Sequence, residues 1–153
     1  VSSDDVIVLA DEAATTALGA RLASLLRRGD VVCLWGALGS GKSTLARGLI
    51  RALTGPDEPV PSPTFTLIQT YDGPQFALAH LDLYRLKTAR EIEEIGLEDA
   101  LDEGAVLIEW PERLEGDLPA DRLDIVFASP DGRLGRRVRL LPHGDWKERA
   151  LEA

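Results

Sequence analysis

The sequence predicts an α/β fold, a three-layer sandwich with a mixed central sheet flanked by helices. Strand-like and helix-like patterns alternate along the chain, the order that builds layered α/β domains. Two runs, Val31–Trp35 and Ala105–Trp110, are apolar almost throughout, as strands buried on both faces of a parallel sheet are. A glycine-rich turn joins the first of these runs to an amphipathic helical pattern.

Taken in order, Val6-Ile7-Val8-Leu9 reads as a short strand, and residues 11–28 as a helix with Leu18, Leu22 and Leu25 on one stripe. Gly29 stops that helix, after Arg27 and Arg28 place positive charge at its negative end. The strand Val31–Trp35 leads through the glycine-rich turn to a helix from Lys42 to Leu53, ended by Thr54-Gly55-Pro56. Residues 55–63 carry four prolines and read as an irregular loop. Phe65–Tyr71 and Phe76–Leu83 flank Asp72-Gly73-Pro74, a hairpin pattern. Residues 88–103 read as an acidic helix, and Ala105–Trp110 as a strand broken by Pro111. Leu123–Phe127 and Arg137–Leu141 form a late hairpin across Asp131-Gly132, and a small helix is expected over 144–153. The 153 residues contain no repeat or linker and are expected to form one domain.

Composition excludes several classes of function. Seventeen basic against twenty-six acidic residues give a net charge of −9, a surface that repels nucleic-acid backbones. A single cysteine, Cys33, cannot form an intramolecular disulfide and is expected in the core. Two distant histidines, His80 and His143, offer no zinc cluster. No apolar run approaches the ~20 residues that cross a bilayer. The opening Val1-Ser2-Ser3-Asp4-Asp5 is polar and acidic, unlike a secretory leader. A cytoplasmic location is expected.

The segment Gly36-Ala37-Leu38-Gly39-Ser40-Gly41-Lys42-Ser43, followed by Thr44, matches G-x-x-x-x-G-K-[ST] in full. It stands between an apolar strand and an amphipathic helix, which makes the expected fold P-loop NTPase-like. Its glycines leave backbone N–H groups free to converge on an anion at the positive end of a helix. Lys42 can reach the β- and γ-phosphates, and the Ser43 hydroxyl is placed to ligate Mg²⁺. The chain has fourteen arginines and only three lysines, yet lysine stands here. A compact ammonium fits between phosphates where a planar guanidinium does not. Guanine-specific proteins use Asn-Lys-x-Asp, and the chain has no asparagine, so ATP is expected over GTP.

Hydrolysis also needs carboxylates for metal and water. Asp82 and Glu109 each end an apolar strand pattern, and ligands of open α/β sheets sit beyond the carboxyl ends of strands. Either acid could ligate Mg²⁺ while the other orients water. Ser62-Pro63-Thr64, on the proline-rich loop, occupies the place of a switch segment, or is simply a turn entering a strand.

Five segments in order carry a resemblance: Gly36–Ser43, Ser62-Pro63-Thr64-Phe65-Thr66-Leu67, His80-Leu81-Asp82-Leu83-Tyr84-Arg85-Leu86, Gly96-Leu97-Glu98-Asp99 and Leu107-Ile108-Glu109-Trp110-Pro111-Glu112-Arg113. Together they resemble the TsaE family, bacterial ATPases of tRNA threonylcarbamoyladenosine biosynthesis, over residues 6–141. The resemblance implies an Mg²⁺-dependent ATPase acting with TsaB and TsaD, which modify the adenosine beside the anticodon. Contact with tRNA is then expected through those partners, and the isolated chain as a monomer. It also implies that Ser43 and Glu109 match metal-site positions, and that Asp82 and Thr64 match positions needed for nucleotide-dependent activity. Trp110 matches an aromatic beside the site, and Thr15 and Arg133 stand for nucleotide contacts from the first helix and the late hairpin. Ala37 departs from the pattern, which often has an acid there.

Two other functions are compatible with these residues: a small-molecule kinase, with Arg113 and Arg122 flanking a lid-like loop, and a nucleotide-gated binding module without turnover. The cluster Arg133, Arg136, Arg137 and Arg139 offers an RNA-facing strip, but Val138 and Leu140 alternate with Arg137 and Arg139, which favours a half-buried edge strand. Arg85 serves either phosphate or the acidic helix.

Overall fold

The two apolar runs become neighbouring parallel strands at the centre of a seven-stranded sheet. The computed structural model describes residues 6–37, 41–61, 63, 67–86, 90–91, 96–128 and 136–149, with 115–117 as backbone only. Its strands are β1 (Val6–Leu9), β2 (Val31–Trp35), β3 (Ile68–Asp72), β4 (Ala77–Asp82), β5 (Gly104–Glu109), β6 (Arg122–Phe127) and β7 (Arg136–His143). They lie in the order β1-β7-β6-β2-β5-β4-β3. The inner four, β6, β2, β5 and β4, are mutually parallel, whereas β3 pairs antiparallel with β4, β7 with β6, and β1 with β7. The sheet is mixed, as expected.

Helices α1 (Glu12–Leu25) and α2 (Lys42–Thr54) cover one face. Leu18, Leu22, Leu45, Leu49 and Ile50 pack there against Leu34, Leu107, Leu123, Ile125 and Leu140. On the other face Val31, Cys33, Ala79, Leu81, Val106 and Ile108 lie with Leu86 and Leu114, and Leu97 of α3 (Leu97–Glu103) packs against them. Burial pushes the Cys33 thiol far up, so it is a core residue rather than a reactive one. Among the described residues no helix is long and apolar enough to cross a membrane.

Several boundaries differ from expectation for local reasons. Helix α1 ends at Leu25 because the Asp30 carboxylate accepts the Arg27 N–H at 2.6 Å and draws the chain into an extended turn. Gly29 then takes the left-handed conformation at φ +87°. Arg27 and Arg28 therefore lie past the helix, and Arg28 donates instead to the Asp102 carbonyl at 3.3 Å. The acidic helix is cut by Gly96 at φ +78°, so α3 starts only at Leu97. Strand β7 is not an edge: β1 pairs along it, although Val138 and Leu140 are buried and Arg139 exposed as the alternation implied. The Asp131-Gly132 turn lies outside the described residues. The expected terminal helix is a 3₁₀ turn, Gly144–Glu148. Beyond it Arg149 makes a buried pair with Asp30, at 2.5 and 2.8 Å, and its guanidinium stacks 4.1 Å from the Trp146 ring.

Helices α1 and α2 cross at Gly19 and Gly48. A Cβ on Gly48 would stand 2.5 Å from the Thr16 carbonyl oxygen, and one on Gly19 would strike the Leu45 carbonyl. Neither obstacle is a side chain that can swing aside. Gly48→Ala is therefore expected to destabilise the fold by about 1–3 kcal/mol in urea denaturation, despite the higher helix propensity of alanine. A change within about 0.5 kcal/mol would refute this close crossing.

Candidate functional site

The chain leaves β2 through Gly36 at φ +147° and starts α2 at Gly41, φ +111° and ψ 2°. Glycine is favoured at position 41 by its left-handed conformation, and a Cβ there would also press on the Phe127 ring at 3.2 Å. Helix α2 has no side-chain cap and no acid in its first turn. Its leading N–H groups thus keep their positive field for an outside anion. Ser43, exposed, and Thr44, half-buried, stand in that turn. Leu38, Gly39 and Ser40 lie outside the described residues, and Ala37 is exposed at the start of the turn.

Lys42 is buried, at 5% exposure. Its Nζ donates to the Gly36 carbonyl at 2.6 Å and sits 3.7 Å from the centroid of the Trp110 ring. Burial pushes its pKa down, while the negative charges of Glu109, Glu112 and Asp82 pull it back up. The lysine is folded onto its own loop by one carbonyl and one aromatic face, both contacts that a phosphate oxygen can replace.

Register assembles the acids. Asp82 pairs with Glu109 across β4 and β5, and Leu34 pairs with Glu109 across β2 and β5. The three parallel strands therefore end level, beside the turn that follows β2. Side chains alternate along a strand, so His80 and Asp82 share the face of Leu78, and Glu109 that of Leu107, in the core beneath α1 and α2. Both acids are buried, each 5% exposed. Asp82 Oδ1 accepts the Tyr84 N–H at 3.0 Å, and Glu109 Oε2 lies 2.6 Å from His80 Nε2.

Two non-glycine residues adopt left-handed backbone at the flanks of these acids. Trp110 follows Glu109 at φ +61°, ahead of Pro111 in the 3₁₀ turn Pro111–Asp117, and stacks against Tyr84 with ring centroids 4.8 Å apart. Leu67 stands at φ +67°, its carbonyl accepting the Asp82 N–H at 3.0 Å and its N–H donating to the Pro63 carbonyl at 2.7 Å. Such conformations cost about 1–3 kcal/mol each and collect at functional sites. The proline-rich loop is thereby tied to the end of β4. Ser62 and Thr64 lie outside the described residues.

Beside the turn is a cavity of about 340 Å³ lined by Ala10, Asp11, Glu12, Thr15, Gly41, Thr44 and Arg136. Thr15 is buried, its hydroxyl directed to the Asp11 carbonyl at 3.3 Å. Arg133 lies outside the described residues, and Arg136, the first residue of β7, lines the cavity. His80, expected only as no zinc ligand and as part of the segment 80–86, stands two residues before Asp82 on β4 and on its face. Arg122, the lid arginine of the kinase alternative, is committed to Asp124 at 3.1 Å and to the Pro119 carbonyl at 3.0 Å. Arg113 and Arg85 are exposed. Among the described residues no three His, Cys, Asp or Glu side chains form a metal cage.

The family model described as "Threonylcarbamoyl adenosine biosynthesis protein TsaE" matches residues 9–138. The chain belongs to the TsaE family. Its role accordingly lies in tRNA threonylcarbamoyladenosine biosynthesis. It is 40% identical over 118 residues to a TsaE protein of Rickettsia bellii, covering 77% of this chain and 82% of the relative. A TsaE protein of Streptomyces coelicolor is 44% identical over 127 residues, 80% of this chain and 84% of the relative. The crystal structure of Bacillus subtilis YdiB superposes with a TM-score of 0.75 at 30% identity, over 94% of this chain and 88% of that one. The α/β fold expected from the sequence is thus that of a solved family structure.

The lowered pKa of Lys42 means that the unfolded chain holds this proton more tightly than the folded one. The resulting penalty is complete below the folded pKa and fades as pH rises toward the ordinary lysine value of 10.5. Lys42→Met is expected to melt no lower than wild type at neutral pH, its advantage shrinking at alkaline pH. Melting curves across pH check this, and a variant clearly less stable at neutral pH would contradict it.

Proposed function

We propose that this family member is an Mg²⁺-dependent ATPase subunit that serves threonylcarbamoyladenosine modification of tRNA together with TsaB and TsaD. The observation that carries the reading is the convergence of Lys42 with the paired ends of β4 and β5, where Asp82 and Glu109 stand level. In this reading the amides of residues 36–44 and Lys42 hold the phosphates, and Lys42 exchanges the Gly36 carbonyl and Trp110 ring for phosphate oxygens. The cavity at Thr15, Thr44 and Arg136 takes the nucleoside end of ATP. Arg133 adds a contact from the late hairpin, and Thr64 answers to the γ-phosphate from the loop tied to Asp82.

The donor set fits Mg²⁺. Two buried carboxylates and the Ser43 hydroxyl, with no protein cage among the described residues, suit an ion that keeps waters and is shared with substrate phosphates. Bound with ATP, Mg²⁺ would neutralise charge on the phosphate oxygens. Ser43 and one of the two acids, Glu109 foremost, would hold it, and the other carboxylate would orient the attacking water. Trp110 and Tyr84 wall the site beside Lys42. Intrinsic turnover is expected to be slow: Arg136 lies in the cavity read here as the nucleoside end, and a finger completing the site would come from a partner. The chain would act as a monomer in the cytoplasm until it meets its partners, which contact the tRNA.

Glu109→Gln separates this reading from a binding module without turnover. Phosphate release is expected to fall at least about 100-fold, while ATP affinity by calorimetry in EDTA, without the metal, stays within about threefold. Unchanged hydrolysis would remove Glu109 from the mechanism, and phosphate appearing on an added metabolite would point to a kinase.

A further inference from the structure

We propose that His80 is a positioning residue for Glu109, an assignment that rests on the reading of Glu109 as a metal or water ligand. His80 lies in the apolar layer beneath α1 and α2, between Leu78 on its own strand and Leu107 on the next. It is 97% buried, being 3% exposed. A leucine would fill such a place without desolvating an imidazole. The polar contact its ring makes is with Glu109 Oε2, at 2.6 Å between two buried side chains.

The second ring nitrogen shows which way the bond runs. His80 Nδ1 is buried and has no hydrogen-bond partner. A proton there would be a donor without an acceptor in the core, which is worse satisfied than a lone pair. The bonding proton is therefore placed on Nε2, from which the ring donates to the carboxylate. One oxygen of Glu109, Oε2, is occupied by this donor.

A glutamate has three rotatable bonds, and a ligand on such a stem must be held in place to act. Carboxylates and histidines around metals are oriented in this way by a further hydrogen bond. Asp82 is held by the Tyr84 backbone N–H at 3.0 Å, so the two acids have separate supports. His80 tethers Glu109 to β4, the strand that also carries Asp82, and keeps the two carboxylates level.

The test compares His80→Leu and His80→Gln with wild type. Leucine removes the donor, and glutamine can restore an N–H at similar reach. ADP affinity is measured with Mg²⁺ and with EDTA, kcat and KM for ATP are determined, and melting temperature reports folding. In His80→Leu we expect melting at or above wild type and EDTA-state ADP affinity within about threefold. The Mg²⁺-dependent gain in affinity should fall about 10-fold, and kcat about 10–100-fold, with KM little changed. His80→Gln should recover most of both. ¹⁵N spectra of the nucleotide-free wild type should show the His80 proton on Nε2. The inference is overturned by unchanged Mg²⁺ dependence and kcat in His80→Leu, by equal loss of ADP affinity with and without Mg²⁺, by glutamine no better than leucine, or by a proton on Nδ1. A wild type whose nucleotide binding ignores Mg²⁺ would instead overturn the ATPase reading itself, and this inference with it.

Discussion

Parallel pairing at the centre of the sheet is the constraint on which the site depends. Strands β4, β5 and β2 run in one direction, and their register brings Asp82, Glu109 and Leu34 level. The chain leaving β2 has one further strand residue, Trp35, before Gly36 turns it toward α2. A shift of one residue in either pairing would send the carboxylate to the opposite face of the sheet, away from Lys42. The buried strands that supply most of the core thus also fix the acids, and stability and chemistry draw on the same hydrogen-bond ladder. The close crossing of α1 and α2 sets the other half of the arrangement. Gly19 and Gly48 allow near contact of the helix backbones, which brings Thr15 on α1 beside Gly41 and Thr44.

The site gathers features that a purely structural end of a sheet would avoid. One lysine and two carboxylates are each about 5% exposed, and buried charges are costly unless they offset one another. They do so here in part: Glu109, Glu112 and Asp82 all favour the charged form of Lys42, against a desolvation that is larger. Trp110 and Leu67 add left-handed backbone at the end of β5 and before β3. Packing elsewhere must hold these conformations, and Pro111 and the Leu67–Asp82 hydrogen bond are the local restraints. Strain, burial and unbalanced charge meet within a few residues, the combination that collects at functional sites.

Much of this was legible in the sequence, because the signals were local. The apolar run Val31–Trp35, the phosphate-loop spacing and the leucine stripe of α2 each declare their structure within a dozen residues. Acids at the ends of apolar strands could be picked out, but their meeting depends on strand order, which periodicity does not encode. Where tertiary contacts overrode local propensity, the reading slipped: Asp30 ended α1 early, Gly96 cut the acidic helix, and β1 covered the flank of β7. His80 carries no local signal as a support, because its partner Glu109 lies on another strand. Arg136 stands just outside the expected strand Arg137–Leu141, and the residues it faces come from α1 and the turn before α2. Both become informative only when the neighbouring strand or helix is in place.

The position of a divalent ion in the nucleotide-bound protein decides the metal-site role of Ser43 and Glu109. Crystals of the protein grown with ADP and Mn²⁺, in place of Mg²⁺, would locate the ion by its anomalous scattering. The expected peak lies within about 2.5 Å of the Ser43 hydroxyl and a Glu109 carboxylate oxygen, with Lys42 drawn off Trp110 onto phosphate. An ion held away from both residues, or nucleotide bound with Lys42 still on the Gly36 carbonyl, would contradict it.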